Sequence, residues 1–91
     1  MDIEDVLDLL RDNECYTYDG LDDAIVGYTC SINLAAVYDY GKCIEIFMEE
    51  GMSEIDAIEF LNYNVVSAYV GDSTPVFITT IDEPQKRLPE L

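Results

Sequence analysis

The stretch that decides the fold is "GMSEIDAIEFLNYNVVSAYVG", residues 51–71. Four of its apolar residues recur at intervals of three or four positions: Ile58, Leu61, Val65 and Ala68. This spacing is typical of the buried face of an amphipathic helix. Ser53 stands just before the pattern, where a hydroxyl can accept a hydrogen bond from a backbone N–H of the first turn. The stretch therefore predicts a core helix that begins at Ser53 and ends near residues 69–71.

Three polar residues interrupt this helix, and they raise the question of a functional site. Glu59 and Asn62 are neighbours beside the apolar stripe, whereas Asn64 lies about 160° around the helix from Asn62. The two asparagines therefore cannot share one site on a straight helix. Two interpretations stay open: hydrogen bonds that tether the helix to the loop 19–23 or the turn 71–74, or exposure to a partner. Asn64 is the better candidate for contact with a partner.

Sequence patterns outside this stretch add two helices and three strands. The helices are expected at 2–12 and about 39–50, and the strands at 24–30, 34–38 and 75–81. The element order is then α-β-β-α-α-β. This order predicts an α+β fold in which a small antiparallel sheet of about three strands packs on the helices.

The chain length of 91 residues is typical of one small domain. We expect this α+β domain to cover residues 1–83. Residues 84–91 contain two prolines, two basic residues and no periodic pattern. They predict a C-terminal tail that is flexible or docked on a neighbour.

The charge balance of the chain excludes some classes of binding partner and favours others. Twenty Asp and Glu residues face four Lys and Arg residues, and the absence of His leaves a net charge of −16. Such a chain repels nucleic acid and anionic membranes, because binding to them requires basic groups on the protein. It is attracted to basic surfaces. The acidity either only keeps the protein soluble or imitates a nucleic-acid backbone that occupies a basic groove.

Motifs for catalysis or cofactor binding are missing from the sequence. No His is available as the base of a nucleophilic triad, and the isolated glycines form no phosphate-binding loop. The acidic loop "DGLDD", residues 19–23, lacks the ligand spacing of an EF-hand. Cys15, Cys30 and Cys43 form no CxxC pair, and the acidic start "MDIEDV" differs from a secretory segment. We therefore expect reduced thiols that are buried or half-buried, no metal, no cofactor and no enzymatic activity.

The residues expected to meet a partner are acids that the helical and loop patterns leave exposed, together with the second asparagine. They are Asp2, Glu4, Asp5 and Asp8 of the first helix, Asp19, Asp22 and Asp23 of the acidic loop, Glu45, Glu49 and Glu50 of the second helix, and Asn64.

A resemblance that covers most of the chain rests on two segments, "LDDAIVGY" and "AVYDYGKCIEIFMEEGMSEIDAIEFLNYNVVSAYVGDSTPVF". Together they resemble small acidic proteins encoded by tailed bacteriophages. The resemblance extends from Leu21 to Phe77. It implies a viral origin and a location in the host bacterial cytoplasm, and it carries over no catalytic residue. In size and charge, though not in any motif, such phage proteins are similar to anti-CRISPR and anti-restriction inhibitors, several of which are nucleic-acid mimics.

These observations lead to one main hypothesis and two alternatives. The main hypothesis is a non-enzymatic inhibitor, either a monomer or a homodimer, that binds a basic, nucleic-acid-facing surface of a host defence protein. One alternative is a small-ligand binder that sequesters a signalling nucleotide with help from Arg11, Lys42, Lys86 or Arg87. The other is a minor enzyme that uses carboxylates and a divalent metal ion.

Overall fold

The computed structural model describes residues 1–31 and 33–81. It contains three α-helices, three β-strands and two short helical segments of other types. The helices are α1 (Ile3–Asp12), α2 (Tyr40–Glu49) and α3 (Glu54–Leu61), and the strands are β1 (Ile25–Tyr28), β2 (Ala36–Asp39) and β3 (Val76–Ile78). A 3-10 turn spans Asp22–Ala24, and a π-helical segment spans Asn62–Val66. The order α-β-β-α-α-β is therefore confirmed, and the expected tail at 84–91 lies outside the described residues.

The three α-helices begin at side chains that cap their first turns. The carboxylates of Asp2 and Asp39 accept hydrogen bonds from backbone N–H groups three residues later, at 3.0 and 3.1 Å. The hydroxyl of Ser53 accepts one at 3.1 Å in the same way. Each cap satisfies a donor that has no partner inside its helix, which fixes where that helix starts. The helix starts expected from the sequence are thus confirmed.

Helices α1 and α2 end in the same hydrogen-bonding motif but with different residues at its left-handed position. Gly51 occupies this position after α2 with φ of +111°, and its N–H donates to the carbonyl of Met48. Glu14 occupies it after α1 with φ of +56°, and its N–H donates to the carbonyl of Arg11. Both ends are Schellman motifs. A side chain at positive φ costs about 1–2 kcal/mol that glycine avoids, so the end of α1 stores strain.

Replacing Glu14 by glycine should therefore stabilise the protein. We expect the free energy of unfolding to rise by up to about 1 kcal/mol, because relief of strain exceeds the entropy that glycine loses on folding. The converse control is Gly51→Ala, which should lower the free energy of unfolding by about 1–2 kcal/mol. A Cβ at this position meets no atom within 4 Å, so the cost comes from the positive φ and not from a clash. Urea denaturation measures both. A loss of stability in Glu14→Gly would contradict this account.

The three-stranded sheet is mixed rather than wholly antiparallel, which corrects the expected strand directions. β1 and β2 form the expected antiparallel hairpin, with a bulge between Ile25 and Gly27. β2 and β3 run parallel, with Val37 opposite Val76. The reason is the connection: α2 and α3 carry the chain from the end of β2 back to the level at which β2 began. A helical crossover of this kind joins parallel strands.

One face of the sheet packs on the helices to form the core. Ile25, Ala36 and Tyr38 point to this face, as expected from the alternation of side chains along a strand. They pack in one cluster with fully buried side chains from each α-helix: Leu10, Cys43 and Leu61. The opposite face keeps apolar side chains exposed: Val26, Val76 and Ile78. The sheet therefore has one covered face and one bare apolar face.

The third helix differs from its prediction at the C-terminal end. Regular α-helix stops at Leu61, and the π-helical segment carries the chain only to Val66, short of the expected end near 69–71. Leu61 and Val65 are buried as predicted, while Ile58 is only half-buried and Ala57 is buried instead. Ala57 and Leu61 lie four residues apart in the regular helix and share its buried face, whereas the wider turn changes which residues share a face only after Leu61.

Candidate functional site

Every residue that the sequence predicted for partner binding is exposed in the structure. These residues are Asp2, Glu4, Asp5, Asp8, Asp19, Asp22, Asp23, Glu45, Glu49, Glu50 and Asn64. Among the acids of the described ranges, Asp39 alone is half-buried, because it caps α2 and accepts a hydrogen bond from Thr80. The acidic side chains therefore form a surface and not a buried cluster.

Few basic groups offset this acidic surface. In residues 1–31 and 33–81 there are two ion pairs, Arg11 with Asp8 at 2.9 Å and Lys42 with Glu45 at 3.9 Å. Both pairs are exposed and join neighbours on one helix, so each contributes at most about 0.5 kcal/mol to stability. Arg11 and Lys42 are the two basic residues of the described ranges, and each is already paired. Most carboxylates of these ranges therefore have no basic partner.

The predicted residues do not converge on one place. Glu4 and Asp8 line a depression on α1, and Glu45 lines another between α2 and the end of β3. Asp19 and Asp22 line a third and larger groove, while Asp19 also meets Asn64 in a fourth. The structure thus joins the acidic loop to the asparagine of the π-helical segment. Tethering of the helix to the loop 19–23 was one of the two interpretations left open, but a groove shared by Asp19 and Asn64 was not predicted.

The groove shared by Asp19 and Asn64 has aromatic walls, and we name it the aromatic groove. Its volume is about 320 Å³, and its lining includes Tyr18, Asp19, Leu21, Phe47, Phe60 and Asn64. The rings of Phe47 and Phe60 meet edge to face with their centroids 5.2 Å apart. Phe60 is 41% exposed, so part of this aromatic pair is available to solvent.

Tyr18 ties the two walls of the aromatic groove together. Its hydroxyl donates a hydrogen bond to the carbonyl of Val65 at 3.1 Å, and its backbone N–H donates to the buried hydroxyl of Tyr38 at 2.9 Å. Burial raises the pKa of Tyr18, so the hydroxyl stays protonated and remains a donor at neutral pH. The loop that carries Asp19 is thereby held against the helix that carries Asn64.

The π-helical segment sets the orientation of the helical wall. Asn64 donates a side-chain N–H to the carbonyl of Phe60 at 3.2 Å, which leaves its side-chain oxygen free to accept. Segments of this type are rare and frequent at functional sites. The run "NYNVV" consists of poor helix formers, which was the available signal in the sequence. It indicates a weak helix, but it does not specify a π-turn.

Asn62 has the tethering role expected for it, but with a different anchor. Its side-chain oxygen accepts a hydrogen bond from the hydroxyl of Tyr40 at 2.8 Å. This bond joins the π-helical segment to the start of α2, rather than to the loop 19–23 or the turn 71–74. Glu59 is exposed on the surface of α3. As predicted, the two asparagines serve separate contacts.

The larger groove lined by Asp19 and Asp22 lies where α1 meets the acidic loop and residues 70–73, and we name it the wide groove. Its volume is about 640 Å³. Arg11 and the acids Glu14, Asp19 and Asp22 contribute to its lining. The single guanidinium is outnumbered by carboxylates, and Asp8 already holds it in an ion pair. The wide groove therefore presents a mainly negative wall to any ligand.

Among the described residues, cysteines and carboxylates are groups with the chemistry for metal binding or nucleophilic attack. Within the described part of the chain, no three side chains of His, Cys, Asp or Glu are placed to hold a metal ion. The three cysteines are free, and Cys30 is exposed rather than buried or half-buried as expected, because it follows β1 in the hairpin connection. Burial and the nearby negative Asp39 raise the pKa of Cys43 to about 11, so this thiol is protonated at neutral pH.

Comparison of the chain with protein-family models, with curated proteins and with solved structures gives no match. Among the helices of the described ranges, none is long and apolar enough to cross a membrane. The candidate site is therefore defined by its own geometry: an acidic, largely unpaired surface that contains one aromatic groove.

Proposed function

We propose that this protein is a phage-encoded, non-enzymatic inhibitor that binds a basic, nucleic-acid-facing surface of a host defence protein in the bacterial cytoplasm. The observation that carries the proposal is the exposed acidic surface, in which the two ion pairs of residues 1–31 and 33–81 involve Asp8 and Glu45 and none of the other acids of those ranges. Carboxylates spread over a rigid scaffold can imitate the spaced charges of a nucleic-acid backbone. They would occupy a groove whose Lys and Arg side chains normally contact phosphates.

A solubilising role and nucleic-acid mimicry differ in what they require of the positions of the charges. Solubility requires net charge, and it does not depend on where that charge lies. Mimicry requires charges held at fixed positions, such as those of Glu45 and Glu49 on α2 and of Glu50 at its C-terminal cap. Reversal of charges at different positions, with the same change in net charge, separates the two roles.

Binding to the partner should fall steeply with salt and with charge reversal on α2. Glu45, Glu49 and Glu50 changed together to lysine should weaken binding about tenfold or more, because like charges then face each other. Raising the salt from about 0.1 M to about 1 M shortens the Debye length from about 10 Å to about 3 Å and should have a similar effect. Capture of proteins from a bacterial lysate, followed by binding measurements on the captured protein, tests both expectations.

The matched control reverses Asp12, Glu59 and Asp72, which are exposed acids outside the predicted contact set. It changes the net charge by the same amount and should retain most of the affinity. Added duplex DNA or RNA should displace the partner, because the two compete for one basic surface. Binding that resists both salt and added nucleic acid would refute mimicry, and equal losses in both triple variants would assign the acids to a general charge effect.

A second candidate function is sequestration of a signalling nucleotide, which the presence of Arg11 in the lining of the wide groove favours. The carboxylates of Glu14, Asp19 and Asp22 in the same lining oppose it, because they repel phosphates. Lys86 and Arg87 lie outside the described residues. Calorimetry with cyclic nucleotides decides between the functions: the inhibitor predicts no heat of binding, and sequestration predicts heat that disappears in Arg11→Ala. Homodimer formation stays a prediction that sedimentation measurements can test.

A further inference from the structure

We propose that the aromatic groove is an anchor site for one arginine side chain of the basic partner. This inference rests on the proposed function, since it names the group that the acidic surface would draw in. The groove volume of about 320 Å³ is at the small end of ligand pockets, which span roughly 300–1,000 Å³. It suits one long side chain better than a complete cofactor.

The polar atoms that line the aromatic groove are complementary to a guanidinium group. The hydroxyl hydrogen of Tyr18 is already donated to the carbonyl of Val65, and Asn64 already donates to the carbonyl of Phe60. The atoms left free are therefore mainly acceptors: the Asp19 carboxylate, the Asn64 side-chain oxygen and the lone pairs of the Tyr18 hydroxyl. Guanidinium carries five N–H donors and no acceptor, so its hydrogen-bonding needs match this set.

The apolar part of the groove favours arginine over lysine. Phe60 exposes part of its ring beside Phe47, and a planar guanidinium can stack on such a ring while its edge reaches a carboxylate. An ammonium group is more strongly hydrated and cannot stack. Among the described residues, those that line the groove include no basic side chain, so an incoming cation meets no like charge from them.

The anchor is also preorganised, which increases the affinity that a single side chain can supply. Tyr18 holds the loop wall against Val65, and Tyr18 is itself fixed by its backbone bond to Tyr38, which is fully buried. The groove therefore does not need to order its walls when the arginine enters. The other exposed acids would attract and orient the basic partner, and the groove would select an arginine from it.

Three basic peptides of one sequence test the proposal, each with several lysines and a central guest that is arginine, lysine or citrulline. We expect the arginine guest to bind the full-length protein about five to ten times more tightly than the lysine guest, and citrulline to bind more weakly than lysine. The arginine peptide should shift the NMR signals of Asp19, Phe60 and the Asn64 side-chain amide. Phe60→Leu and Asp19→Asn should abolish the preference for arginine, whereas Phe60→Tyr should keep it.

Matched controls separate the groove from general electrostatics and from misfolding. Asp23→Asn removes a nearby exposed acid outside the groove lining, and Tyr63→Leu removes an aromatic side chain that is 79% exposed. Both should keep the preference for arginine. Equal binding of the arginine and lysine guests would overturn the proposal of an arginine site. Salt-sensitive binding of the lysine peptide would in that case still support the proposed function of the acidic surface. A preference for arginine without salt-sensitive lysine binding would support the anchor and count against the proposed function.

Discussion

Replacing Leu61 by alanine is expected to lower the free energy of unfolding by about 2–5 kcal/mol. The side chain has no exposed surface and packs in the cluster that joins the helices to the sheet, so its loss leaves a cavity. A protein of this size has a total stability of about 5–15 kcal/mol, and the variant should be largely unfolded at moderate urea concentrations. Circular dichroism during urea denaturation measures the effect.

The control for this substitution is Ile55→Ala on the same helix. Ile55 is 70% exposed, and its truncation should change the stability by about 0.5 kcal/mol or less. The pair therefore tests which face of α3 is buried, independently of helix propensity, since both variants gain the same good helix former. Similar losses in the two variants would show that α3 does not present Leu61 to the core.

Raising the pH from about 9 to about 12 is expected to remove several kcal/mol of stability. Burial raises the pKa of Tyr38 from 10.0 to about 12, and burial together with the negative Asp39 raises the pKa of Cys43 from 9.0 to about 11. The unfolded chain releases these protons at lower pH than the folded chain does. This contribution to stability is therefore complete below pH 9 and is lost as the pH rises through 11 and 12.

Each of the two groups should account for about 2–3 kcal/mol of the alkaline loss. Urea denaturation at a series of pH values between 8 and 12 measures it. Cys43→Ala and Tyr38→Phe each remove one titrating group, so each should make the loss above pH 9 shallower. Tyr38→Phe should also cost about 1–3 kcal/mol at pH 7, because the Tyr18 N–H then lacks its acceptor. An unchanged alkaline slope in both variants would contradict the assignment.

The helices were predictable because their determinants are local in the chain. Asp2, Asp39 and Ser53 cap helices within three residues of themselves, and the apolar spacing of the following residues identifies the buried face. The direction of β3 was not predictable in this way. It depends on how α2 and α3 pack between residues 40 and 75, and a strand sequence such as "VFI" fits either a parallel or an antiparallel neighbour.

The candidate site was only half predictable, for a related reason. The exposure of the acids follows from their type and spacing, since ionised side chains are seldom buried. The aromatic groove combines Tyr18, Phe47 and Phe60 from three separate segments, and no local pattern brings them together. The π-helical segment makes the groove harder to predict. A constant period of 3.6 residues per turn does not give the orientation of Asn64 correctly, because the turn before it is wider.

The parallel pairing of β2 with β3 has a consequence for the order in which the protein folds. The β1–β2 hairpin joins segments that are close in the chain, so it can form early and with a small loss of loop entropy. β3 can pair with β2 only after residues 40–75 have formed the crossover. During synthesis we therefore expect β2 to keep an open edge until β3 emerges from the ribosome, and the last strand completes the sheet.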